Sequence, residues 1–168
     1  GEYRQLVSEV YLAGRSSSLV KQTGSIIVTS DIEGDLYLDS DFKCHIRENG
    51  PQKIEELQSG KYYLEIRAGE KKFFENILVE ANKTLDVFVK SGGINLLSNV
   101  SGEVYLNGKR YGYVEAEKEL ELSKLGSGLY KVELKSADGF IFTKNAEVKT
   151  GQKTSVQIQA AKVTVQVN

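Results

Sequence analysis

The sequence predicts an all-β fold: two small antiparallel sandwiches in tandem, behind a short N-terminal helix. Three observations predict it. Short runs of alternating apolar and polar residues are punctuated by 16 glycines and a single proline. No helical period separates those runs, which argues against βαβ units. The chain also repeats itself: Gly34 and Gly102, Tyr37 and Tyr105, Leu57 and Leu125, Gly60 and Gly128, and Tyr62 and Tyr130 are each 68 residues apart. A constant offset over so long a span marks an internal duplication, and its period suits a small domain rather than a solenoid unit.

The offset divides the chain. Residues 1–23 form an N-terminal helix and linker, 24–91 the first copy, 92–160 the second, and 161–168 a C-terminal strand or the start of a third copy. After Ala68 the second copy gains about one residue, so that Val87 faces Val156.

The elements follow in order. Tyr3, Leu6, Val7, Val10 and Tyr11 fall on one helix face, and Gly14 can end that helix as a left-handed cap. So short a helix needs a partner: the first sandwich, a second copy, or an upstream domain. Strands are expected at 25–30, 35–39, 44–47, 61–68, 72–80 and 84–90. In 61–68, Tyr62, Leu64 and Ile66 share one face while Tyr63, Glu65 and Arg67 share the other, a buried face and a solvated one. Asn107-Gly108 is a type I′ turn signal, because both central residues need positive φ. Copy one has Ser40-Asp41 in that region instead. Gly34 and Gly102 are expected to supply backbone angles at the entry to the strands that follow them. Between the copies lie Ser91, Gly92 and Gly93. Such a joint reaches only about 10 Å, so the copies are neighbours, and its glycines predict a limited hinge. The Tyr111/Tyr113 face and the hairpin at Ser40, Asp41 and Phe42 are the surfaces expected to meet across it. At the end, 162–168 alternates Val163, Val165 and Val167 and aligns with 93–99 at an offset of 69. It reads as the first strand of a third copy or as an extra edge strand of the second.

Composition excludes some functions. Lys and Arg number 22 against 23 Asp and Glu, which leaves no electrostatic footprint for nucleic acid. No apolar run approaches a membrane span, so no insertion is expected within this chain, although an anchor can lie outside it. Gly1 in place of an initiating Met reads as the start of a fragment or of a mature form. Cys44 is the sole cysteine, so no internal disulfide can form.

Candidate sites are few. Asp31, Glu33, Asp35, Asp39 and Asp41 could supply oxygen ligands to Ca²⁺, but the second copy places Lys109 where Asp41 stands, so the copies share no metal site. Their reading is a solvated strand face with its turns. Cys44 and His45 point to opposite faces as strand neighbours and cannot form a dyad. No catalytic residue, metal or cofactor is therefore expected. The exposed aromatics are the one candidate patch: Tyr111 and Tyr113, which share a strand face, and Tyr63 with Phe73 or Phe74. They could stack a sugar or peptide, or only pack against neighbouring strands.

Certain residues also carry a resemblance. Ser30, Ile32-Glu33-Gly34-Asp35, Tyr37-Leu38-Asp39, Leu57, Gly60 and Tyr62 in the first copy, and Ser98, Val100-Ser101-Gly102-Glu103, Tyr105-Leu106-Asn107-Gly108, Leu125, Gly128, Tyr130 and Gly139-Phe140 in the second, resemble the PEGA domain. The motif proline is replaced by Ile32 and Val100, and its alanine by Asp35 and Glu103. The resemblance implies a transthyretin-like or Ig-like sandwich, an extracytoplasmic place (periplasm or cell surface), and no catalytic residues. The function it implies is a non-enzymatic envelope module, a spacer or a protein-binding and adhesion unit, with other envelope proteins or cell-surface glycans as partners. The alternatives are a carbohydrate-binding module using the exposed aromatics, and an accessory or sensor part of a larger enzyme or membrane protein.

Overall fold

A computed structural model describes residues 22–161. The helix expected near the N-terminus and the strand expected at 162–168 lie outside the described residues. Within them the chain is all-β. The first copy holds β1 (Thr23–Ser30), β2 (Gly34–Leu38), β3 (Asp41–Ile46), β4 (Gln52–Gln58), β5 (Gly60–Ala68), β6 (Lys71–Val79) and β7 (Thr84–Val89). The second holds β8 (Gly92–Ser98), β9 (Gly102–Leu106), β10 (Lys109–Val114), β11 (Glu119–Leu125), β12 (Gly128–Ser136), β13 (Ile141–Val148) and β14 (Lys153–Ile158).

Both copies build the same two sheets. The first has a three-stranded sheet in the order β4-β1-β7 and a four-stranded one in the order β3-β2-β5-β6. The second repeats them as β11-β8-β14 and β10-β9-β12-β13. Alternate residues of the two sheets face inward and fill one core per copy: Ile26, Val28, Leu36, Leu38, Leu64, Ile66 and Phe73 in the first, and Ile94, Leu96, Val104, Val132 and Leu134 in the second.

The sheets are not purely antiparallel as expected. β7 pairs with β1 in parallel, and β14 with β8. The reason is connectivity: β7 follows β6 but joins the opposite sheet, and a strand returning from across the sandwich can take either direction. β4 is a further strand that the alternation does not announce.

The duplication extends to hydrogen bonds. The turn between β2 and β3 places Asp39 and Ser40 at φ 47° and 71°, and the turn between β9 and β10 places Asn107 and Gly108 at 49° and 81°. Both are left-handed pairs, so copy one makes the same kind of turn one residue earlier than Ser40-Asp41. The Asp39 carboxylate accepts from the Tyr63 amide, and the Asn107 side-chain oxygen accepts from the Lys131 amide, each at 2.8 Å. Gly34 and Gly102 do not supply positive φ. A Cβ there would lie 2.5 Å from the Arg67 carbonyl oxygen and 2.4 Å from that of Lys135. Glycine is required because the backbones approach so closely.

Candidate functional site

The joint between the copies is not the hinge expected from its glycines. Gly92 and Gly93 belong to β8 and are buried. A Cβ on Gly92 would lie 2.4 Å from Val148 Cγ1 and 2.7 Å from the Lys149 carbonyl oxygen, so the residue is glycine for fit. Ser91, just before it, donates from its amide and its hydroxyl to the Asp31 carboxylate at 2.8 and 2.7 Å.

The surfaces that meet are the β5–β6 hairpin and β3–β4 loop of the first copy, and the β11–β12 connection and β13–β14 turn of the second. The Ser127 amide and hydroxyl both donate to the Lys72 carbonyl, at 2.9 and 3.0 Å. Lys71 Nζ donates to the Lys124 carbonyl at 3.0 Å, and Lys124 Nζ pairs with Glu48 at 2.5 Å. The Phe74 amide donates to the Thr150 hydroxyl at 3.0 Å. Gly126 packs tightly on the first copy: a Cβ there would lie 3.0 Å from that of Lys71 and 3.1 Å from the Lys72 amide nitrogen. Neither surface expected from the sequence takes part in these bonds. Phe42 stays exposed and meets Tyr37 edge-on at 5.7 Å.

Beside this joint lies a cleft of about 660 Å³, lined by Ala68, Glu70 and Lys71 of the first copy and by Lys109, Arg110, Tyr111 and Leu129, among others, of the second. Tyr111 is the extra residue of a β-bulge: Arg110 pairs with Tyr105 and Gly112 with Val104, leaving Tyr111 unpaired. Its hydroxyl donates to the Ser123 carbonyl at 2.8 Å, in the opposite sheet. Tyr113, past the bulge, pairs with Glu103 and is exposed. The bulge thus breaks the alternation that would put Tyr111 and Tyr113 on one face. Tyr63 lies in the first copy, stacked on Phe74 with centroids 5.3 Å apart and planes at 23°. Phe73 is buried.

The acidic cluster is dispersed among structural tasks. Asp31 grips Ser91 and Asp39 closes a turn, while Glu33 and Asp35 hold His45 between them, at 3.0 Å to Nε2 and 2.9 Å to Nδ1. The hydrogen bond to Asp35, followed by that to Glu33, raises the His45 pKa above its ordinary value. Among the described residues no group of three or more His, Cys, Asp and Glu is placed to hold a metal ion. Cys44 is half-buried against the core, and burial pushes its thiol pKa up, away from the thiolate. On the outer face of each four-stranded sheet a cation covers a tyrosine ring: Arg67 over Tyr37 at 3.8 Å, Lys135 over Tyr105 at 4.1 Å. The repeat was the available signal for this pair, since both members keep the 68-residue offset.

No protein-family profile matches the chain, and no curated protein does. Three solved structures are similar to it. The Bacillus anthracis TIE protein is 14% identical with a TM-score of 0.33, over 82% of this chain and 34% of its own. A streptococcal ancillary pilin is 12% identical with a TM-score of 0.30, over 84% of this chain and 63% of its own. A DUF3823 family protein from Bacteroides ovatus is 10% identical with a TM-score of 0.28, over 76% of this chain and 97% of its own. The chain thus spans about a third of the first structure and just under two-thirds of the second. At these values none of the three assigns a function.

Proposed function

We propose that the chain is a non-catalytic module of the cell envelope, related to PEGA domains, which acts as a spacer or protein-binding unit outside the cytoplasm. One observation carries this reading. Polar bonds hold the two sandwiches in a set relation: Ser127 on the Lys72 carbonyl, Phe74 on Thr150, and Lys71 on the Lys124 carbonyl. A spacer needs a joint of defined geometry between units of like shape, and these bonds provide one. Its partners are other envelope proteins.

A second reading is favoured by Tyr111, whose ring lines the cleft beside Lys71 and Arg110. An aromatic ring flanked by donors is a common way to hold a sugar. Two experiments separate the readings. Antibody labelling of intact cells that make the protein is expected to reach it; labelling only after lysis would overturn the envelope assignment. A glycan array is expected to stay blank, and a signal lost in Tyr111→Ala would replace the spacer with the sugar-binding reading.

A further inference from the structure

The two copies end alike except at one hairpin. In the first copy the tip of the β5–β6 hairpin rests on the second copy through Lys71 and Lys72. In the second copy Phe140 and Ile141 occupy those positions, because Lys71 pairs with Ala68 and Lys72 with Arg67, as Phe140 bonds Ser136 and Ile141 pairs with Lys135. Phe140 and Ile141 are 65% and 58% exposed. Two large apolar side chains left exposed in succession at a hairpin tip are costly to keep in water. The strand behind them matches as well. β13 is an edge strand, and Thr143 pairs with Glu133 as Phe74 pairs with Glu65, so its amide faces outward as does that of Phe74, which reaches Thr150.

The exit of the second copy is also prepared in the manner of the first. Asn99 grips Ala160 through both backbone groups, at 2.8 and 3.0 Å, where Asp31 grips Ser91. The residues that follow, 162–168, repeat the pattern of 93–99 in sequence. We propose that the Phe140–Ile141 tip is the docking surface for a third sandwich of the same kind, seated by its counterpart of the 124–127 segment. This deepens the spacer reading and rests on it. A second copy of this chain is a poorer occupant. The matching loop of its first sandwich is already engaged, since the Ser59 amide donates to the Gln22 carbonyl at 2.9 Å where Ser127 donates to Lys72.

The test replaces residues 161–168 of the full chain by a further copy of 92–160 and compares amide hydrogen exchange with the parent. The Phe140, Ile141 and Thr143 amides are expected to slow at least about tenfold, and Phe140→Lys with Ile141→Lys is expected to restore the parent rate. Parent-rate exchange at the tip, while core amides of the added copy are protected, would overturn the proposal. Protection that grows with concentration of the parent chain would also overturn it, by making a second copy the occupant. A second variant does not depend on the added copy. Lys71→Phe with Lys72→Ile carries the apolar pair to the existing joint, where the Ser127 amide is expected to stay protected; its loss would show that the pair does not fit such a loop. None of these outcomes alters cell labelling or the glycan array, so failure of docking and failure of the spacer reading are read separately.

Discussion

The Phe74 amide donates to the Thr150 hydroxyl at 3.0 Å, from the edge strand of one sandwich to the β13–β14 turn of the other. An edge strand presents unpaired amides, and here the neighbouring copy satisfies one of them. Thr150→Val keeps the shape and removes the acceptor. It is expected to cost about 1 kcal/mol and to speed exchange of the Phe74 amide, as read by urea unfolding and NMR. An unchanged Phe74 amide would show that the bond contributes nothing to the joint.

The two kinds of glycine in the repeat predict different penalties. Gly34→Ala and Gly102→Ala each drive a methyl into a backbone carbonyl oxygen, at 2.5 and 2.4 Å. Each is expected to destabilise by about 3 kcal/mol, since backbone cannot step aside as a side chain can. Gly108→Ala meets nothing within 4 Å and suffers only its φ of 81°. About 1 kcal/mol is expected there, and urea midpoints of the three variants give the order.

Ser40 has a left-handed φ of 71° where the second copy has Gly108. Ser40→Gly is expected to stabilise the first sandwich by about 1 kcal/mol, because the strain of a Cβ in that region is removed. Thermal unfolding followed at first-copy resonances checks it, and a lowered midpoint would contradict it.

His45 predicts a pH dependence. Asp35 and Glu33 raise its pKa, so its folded value lies above its unfolded one. The contribution is therefore fully present below the unfolded pKa of about 6.5 and is lost as pH rises through the raised folded value. The group is exposed, and salt screens it. The difference in urea midpoint between the native chain and His45→Gln is expected to be larger at about pH 6 than at about pH 9, and smaller in high salt. A difference that grows with pH would contradict the assignment.

What the sequence reveals of this fold follows from how local each feature is. The face of Leu64 and Ile66 and the Asn107-Gly108 turn are readable because a strand alternates and an I′ turn needs particular residues. β4 is hidden by a bulge: Leu57 pairs with Gly24 and Ile54 with Ile26, so its two inward apolar residues stand three apart and break the alternation. Glu56, in the bulge, has φ 56°. β11 repeats this with Leu122 and Leu125. The same effect misplaces Tyr111, which a bulge takes off the face of Tyr113. The parallel pairing of β7 is invisible because it depends on which sheet the strand returns to. Gly92 and Gly93 look like a flexible linker, since nothing local shows Val148 and Lys149 closing over Gly92.

The central claim is that two like sandwiches are held in one set orientation by a specific joint. Backbone residual dipolar couplings measured separately for 24–89 and 92–158 test it most directly. The account predicts that both sets fit a single alignment tensor of the same magnitude and rhombicity. It predicts that Gly126→Val, which forces a side chain against Lys71, splits them into two. Two tensors of clearly different magnitude in the native chain would contradict it.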